Sequence, residues 1–451
     1  MVYSIIQKRK LEGALRLDAE YYCSPTSIKD FLTGEQVVSF IQYGTSNELN
    51  ENRRGYPVLR LNEFDGMFVK HPEKYCEKIN QKSFEELKLK KDDVLICRTN
   101  GNPKLVGKAA LVMRDEDMAF ASYLFRVRPK ASLINSSTLA VFLNTNIGRQ
   151  EIEKHMMTSN QTNFSPARFR AIKIPKIPPH IQITIEKLLS EAYNKTTASK
   201  TLYQQAENLL LEELGLKDFQ PSQDLSYTVN FSDIQTANRL DADYFQPKYE
   251  RLISKLKTKR ASKLSEVITN VKSNFSPTDS SDVVFYYIEL SNINPTIGII
   301  EGFTKVTGRE APSRAKRLLE EGDVIVSSIE GSLDKVALVD KKHSGNLAST
   351  GFFQFRSPHL LPEVLLVLAK SIIFQMQLKQ QCAGTILAAV PQETLEGLLL
   401  PTIPTNSQQQ IADLVVKSHE ARQKSKALLE QAKKMVEDMI ETNGGQHGQS
   451  N

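Results

Sequence analysis

Four cysteines in 451 residues, Cys23, Cys76, Cys97 and Cys382, are few and far apart. No CxxC pair occurs among them, so neither a zinc site nor a disulfide framework is indicated, which fits a reduced cytoplasmic compartment. Long apolar runs are missing too. None approaches the roughly 20 residues that span a bilayer, and the opening MVYSIIQKRK lacks the apolar core of a signal peptide, so no membrane role is expected. Catalytic signatures are equally scarce. There is no GxxxxGKS/T phosphate cradle, no GxGxxG and no Asn/Asp-Pro-Pro-aromatic run. The seven histidines are scattered singly, without HExxH. Asp323, Glu330 and Lys335 follow in order, but not in the tight Glu-x-Lys spacing of a nuclease, and they read as a strand end and a turn. No catalytic residue, metal site or cofactor is therefore expected on this chain.

What is present is length and a moderate surplus of positive charge. The chain is too long for one ordinary core and predicts two or more domains. The net charge of +6 is unevenly placed: residues 25–180 carry a balance of +7 and residues 248–404 one of +3, leaving −4 for the rest. Two separate cationic blocks suit contact with phosphates, although solubility alone produces such imbalances.

The strongest signal is internal repetition. RLDAEYY at 16–22 returns as RLDADYF at 239–245, an offset of 223. Asp93-Val94-Leu95-Ile96 returns as Asp323-Val324-Ile325-Val326 at 230, with Gly101 matching Gly331. Ile174-Pro175-Lys176-Ile177-Pro178 answers Leu400-Pro401-Thr402-Ile403-Pro404 at 226. Drifting offsets with preserved order mean one duplicated unit with small loop insertions. Each copy has a short leading segment, about 150 residues of short strands and turns, an IPxIP-type element and a long helix, which gives an α+β fold.

In the second helix Ile411, Leu414, Ser418, Ala421, Ser425, Leu428, Ala432, Met435 and Met439 follow steps of three and four. The first has Ile185, Leu188, Ala192, Lys195, Ser199, Leu202, Ala206, Leu209 and Glu213 at the same phase. Such spacing predicts a coiled-coil seam, against the simpler reading of two amphipathic helices each packed on its own domain. Length favours the seam: residues 181–214 reach roughly 50 Å at ~1.5 Å per residue. Small residues at Ala192, Ser199 and Ala206 permit close approach. Duplication then implies two similar domains held by an antiparallel helix pair in a circular, pseudo-two-fold arrangement.

RLDAEYY, a Gly-Thr-Ser loop (Gly44-Thr45-Ser46), VLRLNEF, DVLICRTNGN, IPKIP and a coiled-coil helix, largely repeated in order, resemble the specificity subunits of type I restriction-modification systems. The resemblance implies that each repeat holds a target-recognition domain reading half of a split site in double-stranded DNA. It implies partners as well: two adenine methyltransferase subunits on the helices, with restriction/translocase subunits attached. S-adenosylmethionine, ATP and Mg would then sit on those partners. The expected division is a leading segment 1–24 that completes the circular repeat, a first target-recognition domain 25–180 and a first helix 181–215. A linker 216–247 repeats the leading segment, followed by a second recognition domain 248–404, a second helix 405–441 and a flexible tail 442–451. RLDADYF and its copy are expected to tie domain to helix pair, with Tyr22 and Phe245 buried and Asp18 and Asp241 capping or pairing.

Base reading needs paired donors and acceptors, and phosphate contact needs cations, hydroxyls or N–H groups. On that ground the candidate DNA contacts of the first domain are Tyr43, Thr45, Ser46, Asn47, Arg53, Arg54, Arg98, Thr99, Asn100, Asn102, Lys104, Asn160, Gln161 and Arg168. Those of the second are Lys272, Ser273, Asn274, Arg309, Arg314, Ser327, Ser328, Ser332 and Lys335. Two rival functions remain open: a duplicated protein-binding scaffold indifferent to DNA, and a single-chain nucleic-acid enzyme.

Overall fold

A computed structural model describes residues 5, 7–8, 28–157, 162–221, 224–384 and 388–445. The chain divides into two compact units, one of residues 1–195 with 423–451 and one of residues 196–422. RLDAEYY, the rest of 9–27 and the last six residues of the expected tail lie outside the described residues.

The first unit is built on a six-stranded sheet of β1 (Val38–Tyr43), β2 (Phe64–Asp65), β3 (Phe68–Val69), β4 (Val94–Cys97), β5 (Ala109–Leu111) and β6 (Leu124–Pro129). Its spatial order is β1-β6-β4-β5-β3-β2. The second has β7 (Thr269–Asn270), β8 (Ile293–Asn294), β9 (Ile299–Ile300), β10 (Val324–Ser327), β11 (Val336–Leu338) and β12 (Phe352–Arg356). Here the order is β7-β12-β10-β11-β9-β8. One permutation serves both, with every strand advanced by six. Even the parallel pair recurs, β3 with β5 and β9 with β11, among otherwise antiparallel neighbours. The fold is α+β and duplicated.

The central strands explain why the DVLI-type run repeats. In β4 successive side chains point to opposite faces: Val94 and Ile96 enter the main core of the unit, while Leu95 and Cys97 enter a second cluster. In β10 Val324 and Val326 face the main core and Ile325 the smaller one. A strand buried on both faces has to be apolar throughout. Against the main core lie two short helices per unit, Ser136–Leu143 with Asn146–His155 and Pro362–Lys370 with Ile372–Gln381. Asn135 and Thr145 cap the first pair by accepting from the backbone N–H groups of Thr138 and Gly148.

Each IPxIP element is a short strand that closes its unit. Lys173–Pro175 pairs antiparallel with Phe31–Thr33, and Leu399–Pro401 with Ala261–Lys263. The chain then enters helix α1 (Pro179–Glu213) or helix α2 (Thr405–Gly445). Proline at the first helical position of α1 removes an N–H that would have no partner there. At its other end Gly215 is left-handed at φ 62°, and Leu216 N–H bonds the Leu211 carbonyl at 2.8 Å, a Schellman closure. Helix α2 runs four residues into the segment read as a tail.

Ile185, Ala192, Ser199 and Ala206 are buried, as are Ile411, Ser418, Ser425 and Ala432. Of the other predicted seam positions, Ala421 is buried too, Leu188, Lys195, Leu202, Leu209, Leu414, Leu428, Met435 and Met439 are half-buried flanks, and Glu213 is exposed. Further buried rows are Leu189, Thr196, Tyr203 and Leu210 in α1, and Val415, Arg422, Leu429 and Val436 in α2. The helices pack on their globular layers as well as on each other, and this turns the buried face by one position. Within the second unit the pairing is antiparallel, with Ser199 beside Ser418 and Glu213 accepting from Ser407 at 2.7 Å. Within the first, Ser425 donates to the Ala192 carbonyl at 2.8 Å.

A glutamine at the start of each long helix ties it to its layer. Gln182 donates to the carbonyls of Ile177 (2.8 Å) and Leu133 (3.2 Å) and accepts from Asn135 N–H (2.8 Å). Gln408 repeats this with the carbonyls of Ile403 (3.1 Å) and His359 (3.2 Å) and the N–H of Leu361 (3.1 Å). RLDADYF also works as a tie. Arg239 pairs with Asp241 at 2.6 Å, lies over the Tyr244 ring and donates to the Cys382 carbonyl at 2.8 Å. Phe245 is half-buried rather than buried, because it stacks edge-on with Tyr244 at the surface of that junction.

Candidate nucleic-acid interface

In the first unit three of the expected loops converge. Strand β1 ends at Tyr43, and Gly44 turns the chain where a Cβ would lie 2.2 Å from the Phe120 carbonyl. Thr45 N–H then bonds that carbonyl at 2.8 Å, and Ser122 N–H bonds the Thr45 carbonyl at 2.7 Å. Strand β4 delivers Arg98 to the same place: its N–H bonds the Tyr123 carbonyl at 2.7 Å and its guanidinium lies 5.2 Å above the Tyr43 ring. Thr99–Asn100 pairs with Thr162–Asn163, which brings in the end of the third loop; Asn160 and Gln161 lie outside the described residues. Asn100 and Asn102 shape the turn, accepting from the N–H groups of Asn102 (2.8 Å) and Lys104 (3.0 Å). Ser46, Asn47, Asn102 and Lys104 are exposed. Thr99 is not: it is buried beneath the turn, which removes its side chain from any DNA surface.

Arg53 and Arg54 are exposed on a separate loop, where Asn50 donates to the Arg54 carbonyl at 2.9 Å and Arg53 has φ 56°. Arg168 is half-buried on the short helix Pro166–Ala171. Among the described residues no hydrogen bond joins these three arginines to the Arg98 cluster. Tyr123, absent from the sequence-based set, belongs to that cluster and is 56% exposed. Its signal in sequence is slight, an aromatic at a turn between apolar runs.

In the second unit Ser273 and Asn274 share one groove with the residues on either side of Arg314, its lining including Phe275, Pro312, Ser313 and Lys316. Lys272, Asn274 and Arg314 are exposed, and Arg309 is exposed in an ion pair with Asp282. Arg317 turns inward instead, donating to the Val271 carbonyl at 2.7 Å, and burial pulls its pKa down to about 10. The segment Ser327–Lys335 departs from expectation. Ser327 and Ser328 are buried, the first within hydrogen-bond distance of the Ser332 hydroxyl (3.1 Å), the second donating to the Gly351 carbonyl (3.0 Å). Ser332 also donates to the Ile329 carbonyl at 3.3 Å, and Lys335 reaches the Ile293 carbonyl at 3.2 Å. The doubly buried strand β10 runs straight into this turn, so its polar groups are satisfied internally. None of these four presents a free side chain for base reading.

Strand pairing aligns the two units residue by residue. Phe40 faces Arg128 across the sheet, and Thr269 faces Arg356, so Tyr43 corresponds to Lys272. Arg98 N–H bonds the Tyr123 carbonyl, and Ser328 N–H bonds the Gly351 carbonyl at 2.9 Å. At one topological place the first unit thus offers Tyr43, Arg98 and Tyr123, and the second Lys272, Ser328 and Gly351.

The repeated aspartates are structural. Asp93 takes Arg126 at 3.0 Å, Arg128 and the N–H of Lys90; Asp323 takes Arg356, Gln354 at 2.6 Å and the N–H of Glu320. Glu330 pairs with Lys379 and Lys335 with a main-chain carbonyl, so Asp323, Glu330 and Lys335 do not assemble. Cys97, behind Arg98, is pushed up to about 11 by burial and stays a thiol at neutral pH. Among the described residues no His, Cys, Asp and Glu cluster suits a metal ion, and no helix is long and apolar enough to cross a membrane.

Residues 38–208 match the family model of the type I restriction modification DNA specificity domain. A curated relative, the type I restriction enzyme EcoKI specificity subunit of Escherichia coli (strain K12), is 25% identical over 169 residues, which is 34% of this chain and 36% of the relative. The match thus spans about a third of that protein. Among solved structures, the type I restriction-modification S subunit from M. genitalium aligns over 92% of this chain and 96% of its own, with TM-score 0.42 and 11% identity. The HsdS subunit from Thermoanaerobacter tengcongensis aligns over 91% and 96%, with TM-score 0.30 and 11% identity. Residues 38–208, somewhat more than a third of the chain, are thus similar to DNA specificity domains. The resemblance of this chain to type I restriction-modification specificity subunits, first read from its repeated motifs, is shown.

Proposed function

We propose that this chain binds duplex DNA sequence-specifically, each unit reading one half of a bipartite target, and that it positions adenine methyltransferase subunits and the nuclease/translocase subunits that join them. The observation that carries this reading is the duplicated sheet, one strand permutation in both units, together with the specificity-domain match in the first. Duplication of a reading module with divergent loops suits a split, non-palindromic site. The chain acts as a reader and not as a catalyst. S-adenosylmethionine, ATP and Mg belong to the partner subunits, and the long helices are the surface those partners take. The exposed cations and amides of the loop clusters suit phosphate and base contact. Mapping modified adenines in host DNA with and without the chain tests the reading. A split motif that appears with the chain and vanishes without it is expected. Unchanged methylation in its absence would remove the proposal.

A further inference from the structure

Arg98 differs from the other exposed or half-exposed arginines of the first unit in how it is held. Its main chain is fixed on both sides: the N–H by the Tyr123 carbonyl, the carbonyl by the N–H of Phe164 at 2.8 Å. Its guanidinium lies over the ring of Tyr43, which is 46% exposed and is itself fixed in β1 opposite Phe125. Among the described residues the side chain makes neither an ion pair nor a hydrogen bond, and its Nε is buried without a partner. By contrast, Arg128 is held by Asp93 and Arg170 by Glu35.

A planar cation fixed against an aromatic face has already lost much of its rotamer freedom, so a ligand that meets its fork pays little further ordering cost. Two planar acceptors side by side answer that fork best, and in the major groove these are O6 and N7 of guanine. Two oxygens of a phosphate can meet the same fork, and the two contacts are told apart by whether a single base position relaxes when the fork is lost, since a phosphate contact carries no sequence information directly. Resting on the proposed DNA reading, we infer that Arg98 reads a guanine in the half-site of the first unit, and that Tyr43 is its positioning residue. The second unit has no equivalent: Ser328 is buried and bonded to the Gly351 carbonyl, and Lys272 replaces Tyr43. The two halves of the target are therefore read by different chemistry at the same place in the fold.

The test maps adenine methylation in a strain without the nuclease, complemented with the full chain or with R98K, R98Q, Y43F or Y43L. R98K retains charge and loses the fork. It should relax one guanine position in the half-site of the first unit, with discrimination against other bases falling about tenfold to a hundredfold, and leave the other half unchanged. R98Q should lose that guanine preference as well. Y43F keeps the aromatic face and should keep the motif, whereas Y43L should relax the same position as R98K. If both Arg98 variants methylate the native motif with full stringency, the inference is overturned. It is overturned too if methylation weakens evenly at every site with no base relaxed, which is the signature of a phosphate contact. If the native chain supports no split motif at all, it is the DNA-reading proposal itself that falls.

Discussion

Ser418 donates its hydroxyl to the main-chain carbonyl of Ser199 at 2.7 Å, while the two hydroxyl oxygens lie 3.1 Å apart. Both residues are buried in the second unit, where α1 and α2 run antiparallel. Serine fits there because it is small enough for close backbone approach and brings its own partner for a carbonyl already used within its helix.

Substitution at Ser418 should separate these two roles. S418A keeps the close approach and loses the hydrogen bond, at a cost of about 1 kcal/mol. S418L must push the helices apart and should cost about 1–3 kcal/mol, with a lower unfolding midpoint. Thermal and denaturant unfolding of the full chain measures both. Equal losses would mean that packing at this level is not tight.

The carboxylates of Asp93 and Asp323 carry a heavier load. Arg126 is 1% exposed and would be left charged and buried by D93A, which should cost about 3–5 kcal/mol. D323A is expected to be milder, because Arg356 is partly exposed and Gln354 is neutral. With the damage confined to one unit, D93A should unfold in two steps, and hydrogen exchange should show the first unit opening first. A single transition with uniform loss of protection would contradict that.

The sequence showed the duplication, because Asp93 and Asp323 with their apolar strands must recur wherever the same doubly buried strand is built. It showed the long helices for a similar reason, since a seam at steps of three and four leaves a strict pattern. The flank of that seam was misread by one position: packing on a globular layer is not visible in a heptad. The site was less legible. Ser327 and Ser328 look like loop polar groups, yet they continue a strand with both faces covered, and Thr99 shares that fate. Tyr123 and Arg98 meet only through a carbonyl contributed by a turn 25 positions away in the chain, which no local pattern announces.

Stability should also depend on pH through His419. Burial lowers its pKa below the ordinary 6.5, and its Nε2 lies 2.8 Å from the Ile297 carbonyl, the geometry of an N–H donor on a neutral ring. A group that protonates more readily when unfolded contributes full stability above about pH 6.5 and loses it as pH falls towards the depressed folded value. The full chain should therefore lose stability between pH 7 and pH 5 more steeply than H419Q, in denaturant titrations at matched salt. Parallel pH profiles for the two proteins would assign the dependence elsewhere.

The last prediction concerns exchange of the first globular layer, residues 25–178, for that of a divergent relative. Its two ends meet in the antiparallel pair of Phe31–Thr33 with Lys173–Pro175, so the exchanged segment begins and ends at one place and leaves α1 intact. Gln182 attaches the helix to that layer through main-chain groups, the Leu133 carbonyl and the Asn135 N–H, and main chain is what a diverged sequence still supplies. A foreign layer should consequently dock with little loss of stability. If base contacts lie within each unit, methylome mapping of the chimaera should show a new half-site on one side of the target and the native half-site on the other. Simultaneous change in both halves would mean that the units read DNA jointly, and the assignment of one half-site to each would have to be abandoned.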